Sequence, residues 1–171
     1  MNHQVTIQKT PGIALTKQKS VDISNFPFTL NTNIGCLFSC TYCYLQGFPF
    51  NLHSDFGKEV KVKAWIPAKL DQELEKWKEL PQHLKRVQVN AATEGYLPQT
   101  IHALESQENR DLMLELLLVF RKHWEEGNKW MVHLVTKSHL VLNHLEIITS
   151  MRDQVQVELT ITSMDEKRSR I

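Results

Sequence analysis

The chain carries three cysteines, Cys36, Cys40 and Cys43, all within eight residues. An odd count without a secretory context makes a disulfide framework a poor reading. Three cysteines placed independently for packing would rarely cluster in this way, so the grouping asks for a chemical reason. The run Gly35-Cys36-Leu37-Phe38-Ser39-Cys40-Thr41-Tyr42-Cys43-Tyr44 has the spacing C-x3-C-x2-C. Thiolates at these intervals in a loop can converge on one soft metal centre. A structural zinc site wants four ligands, and the chain has no fourth cysteine. A zinc site would have to borrow one of eight histidines. His53 is the nearest, and none stands two to four residues from the cluster. A four-iron cluster on three thiolates instead leaves one iron open to a substrate or cofactor. Zinc, and plain packing of three small residues, remain as alternatives.

Positioning such a loop requires a scaffold, and the patterning supplies one. Residues 28–34 alternate apolar and polar, the signature of a strand, and Gly35 opens the cysteine loop directly after it. Residues 48–67, with Phe48-Pro49-Phe50, Gly57 and Pro67, read as an irregular excursion. Leu70, Leu74, Trp77 and Leu80 recur at helical spacing and predict an amphipathic helix stopped by Pro81. A second strand over 86–92 leads into the loop Thr93–Pro98, and a helix from about Asp111 to Glu126 ends at Gly127. An almost continuous apolar strand, 130–135, has the pattern of a buried parallel one. Thr136-Lys137-Ser138 then opens a helix ending near Met151, and 155–162 alternates again. The order β, α, β, α, β, α, β, with helical crossovers, predicts an α/β fold with a parallel sheet. Strand parity adds that one sheet face is apolar, for the helices, and the other polar, for a cavity that takes a polar ligand.

Composition bounds the rest. At 171 residues the chain is one domain or one domain with a short extension: a lead-in segment at 1–27 without clear periodicity, then a core at 28–171. The formal net charge of +1 excludes long-range electrostatic steering of a polyanion. The longest apolar run, 112–120, is interrupted by Glu115 and too short to span a bilayer, and Met1–Thr10 does not resemble a signal peptide. These features predict a cytoplasmic protein without a membrane partner.

C-x3-C-x2-C with an aromatic before the third cysteine, in the loop after the first strand of a repeated β/α pattern, resembles the radical S-adenosylmethionine (SAM) superfamily. Asn31 ahead of Gly35-Cys36, the run Tyr42-Cys43-Tyr44-Leu45, the loop Thr93-Glu94-Gly95-Tyr96-Leu97-Pro98, and Thr136-Lys137-Ser138 are similar to its spore photoproduct lyase-like, DNA repair photolyase-like branch. The similarity covers roughly residues 25–165. It implies that Cys36, Cys40 and Cys43 ligate three irons of a [4Fe–4S] cluster, and that SAM chelates the fourth. Reductive cleavage of SAM would then give a 5′-deoxyadenosyl radical that abstracts a substrate hydrogen. It further implies Tyr42 against the adenine, Glu94 toward the SAM ammonium, Lys137 toward its carboxylate, and Thr160 as a hydroxyl donor. His133 shares parity with Lys137 and reads better as a core histidine.

The resemblance departs at Ala92, where the lyase carries a cysteine that returns a hydrogen atom to product, so thymine-dimer repair is not part of the expectation. Family members usually have six β/α units of about 30 residues each. Only nine residues follow Thr162, so the expected fold is a partial (β/α) barrel of about four units, incomplete at its C-terminus. Open parallel edges at 28–34 or 155–162 would invite self-association. The resemblance also implies a reducing partner such as flavodoxin or ferredoxin, and nucleic acid by family analogy alone. A catalytically incomplete iron–sulfur-binding fragment and a zinc-binding interaction module are the alternative functions. Lys58, Lys61 and Lys63 alternate within 48–67, where they can meet phosphate or solvent.

Overall fold

Period-two patterning becomes a set of short strands in a computed structural model that describes residues 4–19, 25–47 and 56–161. The strands are β1 (Gln4–Gln8), β2 (Thr16–Lys17), β3 (Phe28–Leu30), β4 (Asn33–Ile34), β5 (Glu59–Lys63), β6 (Arg86–Val89), β7 (Met131–Thr136) and β8 (Val155–Leu159). The α-helices are α1 (Ile66–Lys76), α2 (Pro98–Glu108), α3 (Leu112–Glu125) and the short α4 (Leu145–Ser150). Strands β3, β6, β7 and β8 are parallel neighbours in chain order, and β2 adds antiparallel to the outer edge of β3. A second sheet has the order β1-β5-β4, with β1 parallel and β4 antiparallel to β5. The fold is therefore mixed α/β with a parallel-rich sheet, and the described residues close no barrel.

Register follows from parity. Phe28, Val87, Val132 and Val155 lie in one row across the sheet, and Leu30, Val89, Leu134 and Val157 in the next. Burying each such side chain contributes about 1.5–3 kcal/mol. A slip by one residue would put Thr29, Gln88, His133 and Gln156 into the core instead, so the register is strongly specified. Leu70 and Leu74 of α1 and Leu116, Leu117 and Phe120 of α3 join these rows in one core. Trp130 packs edge-on against Phe28 at 5.2 Å within it.

Several boundaries differ from the expected ones, each for a local reason. The strand expected over 28–34 divides into β3 and β4, which belong to different sheets. Asn90 causes the break: its Oδ1 accepts from both the backbone N–H (3.0 Å) and the hydroxyl (2.9 Å) of Thr32. Asn90 itself takes a left-handed conformation (φ 62°) that ends β6 at Val89, short of the expected Ala92. The 1–27 stretch contributes β1 and β2, and its Ala14 and Leu15 enter the core, their N–H groups donating to the Glu73 carboxylate of α1 at 3.2 and 2.7 Å. Within 48–67 the chain forms β5 and starts α1; residues 48–55 lie outside the described residues, as do His53 and 162–171. Helix α1 begins at Ile66 rather than Leu70 and ends before Trp77.

Helix α2 is an addition that the apolar pattern does not announce. Helix α3 starts where expected, with Asp111 Oδ1 accepting from the Leu114 N–H at 3.0 Å as an N-cap. Gly127 (φ 86°) follows its end in the left-handed conformation that a side chain resists.

Candidate metal and cofactor site

The cysteine loop leaves β4 through Gly35, whose φ of 84° lies in the left-handed region. A Cβ there would stand 2.6 Å from the carbonyl oxygen of Glu59, so the turn into Cys36 admits only glycine without displacing β5. Tight turns follow: the Cys43 N–H donates to the Cys40 carbonyl at 3.0 Å, and Gln46 Nε2 donates to the same carbonyl at 2.8 Å.

Side chains from the neighbouring strand ends hold this loop. The Thr93 hydroxyl donates to the Gly35 carbonyl at 2.6 Å, Asn33 Nδ2 to the Glu94 carbonyl at 2.7 Å, and Tyr44 Oη to the Ala91 carbonyl at 3.0 Å. Glu94 links the loop after β6 to the end of β7. Its Oε1 accepts from the Tyr96 N–H (2.9 Å) and the Thr136 hydroxyl (2.7 Å), and its Oε2 from the Lys137 N–H (2.8 Å). Lys137 Nζ donates to Tyr42 Oη at 3.1 Å and lies 5.1 Å from the centre of that ring. Thr160, just past β8, donates its N–H to the Thr136 carbonyl at 2.9 Å.

The result is a cavity of about 260 Å³ beside the loop that leaves β4 and beyond the C-terminal ends of the parallel strands β6, β7 and β8, the end at which ligands bind in open parallel sheets. Cys36, Cys40, Cys43, Tyr42, Glu94, Lys137 and Thr160 all line it. The seven residues singled out in sequence thus converge on one space. His133 does not line it. It is buried on the polar sheet face, stacked on Phe26 at 4.8 Å with Nε2 3.0 Å from Glu158.

Two features refine the expectations. Glu94 is 3% exposed, and three internal donors occupy all but one of the roughly four acceptor positions of a carboxylate. Its evident work is to brace the loop. Tyr42, in contrast, is 60% exposed and lines the cavity with Lys137 Nζ over its ring. Asn33 and Thr136 also brace the site, through the Glu94 carbonyl and carboxylate; the sequence marks Thr136 only by its adjacency to Lys137.

All three cysteines are free and partly buried. Burial pushes the Cys36 thiol up to about 11, reinforced by the charges of Glu94, Cys40 and Cys43 and opposed by a hydrogen bond from the Phe38 backbone. Among the described residues no group of three or more His, Cys, Asp or Glu side chains is gathered so as to hold a metal ion. A single zinc ion needs its sulfur ligands at about 2.3 Å from one point. Cys36, Cys40 and Cys43 nevertheless all line the one cavity, and thiolates are the donors that an iron–sulfur cluster takes.

No protein-family model matches the chain, and no solved structure matches it significantly. Among curated proteins it is similar to an uncharacterised protein, ORF301, of Acidianus two-tailed virus, at 25% identity over 151 residues. The match covers 82% of this chain and 44% of that protein, so the chain spans less than half the length of its relative.

Proposed function

We propose that the chain is a radical SAM enzyme domain: a partial barrel of four β/α units that holds a [4Fe–4S] cluster on Cys36, Cys40 and Cys43. The observation that supports this reading is the convergence of the three cysteines with Tyr42, Glu94, Lys137 and Thr160 on one cavity at the strand ends. When bound, such a cluster supplies the electron for reductive cleavage of SAM.

The residues of the chain do the positioning. Lys137 brings a cation to the cavity wall beside Tyr42, where it can meet a carboxylate by a charge-assisted hydrogen bond. Tyr42 presents a face on which an adenine can stack, and Thr160 adds a hydroxyl. Glu94 fixes the Lys137 backbone and keeps one acceptor position for an ammonium. Leu45, Val135 and Phe56, also on the lining, limit water around the reacting groups.

Anaerobic reconstitution with iron and sulfide, followed by reduction in the presence of SAM, tests the proposal. The expected result is about four irons per chain, a paramagnetic reduced cluster whose signal changes when SAM is added, and 5′-deoxyadenosine as product. Cys36→Ala, Cys40→Ala and Cys43→Ala should each lose the cluster. Tight zinc without iron would overturn the reading, and four irons without deoxyadenosine would reduce it to a cluster-binding fragment.

A further inference from the structure

Beside the cysteine-lined cavity lies a second one of about 530 Å³, on the polar side of the joint between the two sheets. Tyr44, Leu45, Phe56, Ala91 and Ala92 line both, so the two spaces share a wall. The volume is within the usual range of small-molecule sites.

The charged group in this second cavity is Lys63. Its backbone N–H is fixed by the Thr32 carbonyl at 2.9 Å, and its Nζ donates to the Asn31 carbonyl at 2.9 Å. Among the described residues no carboxylate pairs with it, in contrast to Lys61 on the same strand, which pairs with Glu59 at 3.4 Å. A partly buried cation without a counter-ion is costly unless something anionic visits. Desolvation accordingly holds the Lys63 ammonium below its ordinary value.

The other polar groups complement an anion with a hydrogen-bonding body. Asn31 accepts the Ala92 N–H through Oδ1, which leaves its Nδ2 uncommitted. Thr29 accepts from Gln18 Nε2 at 2.8 Å, which leaves the hydroxyl proton of Thr29 and Oε1 of Gln18. Asn33 donates Nδ2 to Glu94, leaving Oδ1. The cavity therefore offers one cation, two neutral donors and two neutral acceptors.

We infer that this second cavity binds the oxyanion of a polar small molecule, a carboxylate or a phosphate, with Lys63 as the charged contact and Asn31 and Thr29 as donors. The Oε1 of Gln18 and Oδ1 of Asn33 accept from N–H or O–H groups on the rest of the ligand. One cation matches one negative charge. That the molecule is the substrate rests on the function proposed above; that it binds does not.

Two matched pairs of probes test this on the full chain without iron: a 5′-mononucleotide against its parent nucleoside, and an N-acetylated amino acid against its methyl amide. The charged member of at least one pair should bind about tenfold or more tightly than its neutral partner, as a hydrogen bond to a charge provides. The responding pair identifies phosphate or carboxylate as the source. Lys63→Met should abolish the preference and Lys63→Arg should keep it. Backbone amide shifts on titrating the wild-type chain should centre on Thr29, Asn31 and Lys63, a readout that needs no variant to fold. Absence of any charge preference, a preference that survives Lys63→Met, or shifts centred elsewhere would overturn the inference. Because the assay uses no cluster, a chain that binds the anion but takes up no iron removes the proposed function and leaves this site standing.

Discussion

At the scale of single residues, Glu94 illustrates how a side chain chosen for ligand chemistry can be committed first to architecture. Its carboxylate receives donors from Tyr96, Thr136 and Lys137, joining the loops that follow β6 and β7. Truncation would leave buried donors without acceptors, at about 1–3 kcal/mol for each group so stranded. Glu94→Ala is expected to lower unfolding free energy in urea by about 3 kcal/mol, whereas Glu94→Gln, which keeps Oε1, should cost less than half as much. A Glu94→Ala chain within about 0.5 kcal/mol of wild type, the range of ordinary surface changes, would show that these hydrogen bonds do not brace the site. The same geometry explains why sequence could place Glu94 at the site without revealing its task. Position after a strand is legible in one dimension, but the identity of hydrogen-bond donors 42 and 43 residues away is not.

At the scale of elements, legibility followed the strength of the periodic signal. Strands β6, β7 and β8 and helix α3 were readable because their apolar residues recur at clean intervals and, for α3, because Asp111 and Gly127 mark the ends. Helix α2 was hidden: it buries only Thr100, Ala103 and Leu104, and its first residue, Pro98, reads as a breaker although proline suits a helix's first turn. The division of β3 from β4 was nearly invisible for another reason. The only local sign is Thr32, a polar residue at an apolar position of the alternation over 28–34, and the group it bonds, Asn90, lies 58 residues away. The N-cap of α3 carries a pH prediction. Burial alone would raise the Asp111 carboxyl, but the His144 ring (2.9 Å) and the N–H groups of Leu114 and Met113 outweigh it and hold it below its ordinary value of 3.8. A depressed carboxyl contributes stability that is fully present above the unfolded value and lost as pH falls through the folded one. Stability should therefore be insensitive to this group above about pH 5 and decline below about pH 4. Asp111→Asn retains a capping side chain and should show lower stability at neutral pH with a shallower acid decline. An unchanged acid slope in that variant would remove Asp111 from the account.

At the scale of the whole molecule, the sheet has two unlike edges. Antiparallel β2 covers the outer side of β3, so the first of the two edges expected to be open is paired. Among the described residues no strand pairs the outer side of β8. An uncovered edge presents a row of unpaired N–H and C=O groups to any strand that approaches. Two apolar side chains accompany it: Leu159 is 47% exposed and Ile161 68%. Glu158, which lies between Leu159 and Val157, is drawn toward His133 on the polar face and so does less to repel a second edge. The expected consequence is association of two copies through β8, seen as an apparent mass that rises with concentration in sedimentation velocity. Leu159→Lys combined with Ile161→Lys places like charges on both approaching edges, and should return the chain to a monomer without lowering its melting temperature. Wild-type chain that sediments as a single monomeric species at every concentration would show instead that the β8 edge is protected. A charged double variant that still associates would move the interface to another face of the fold.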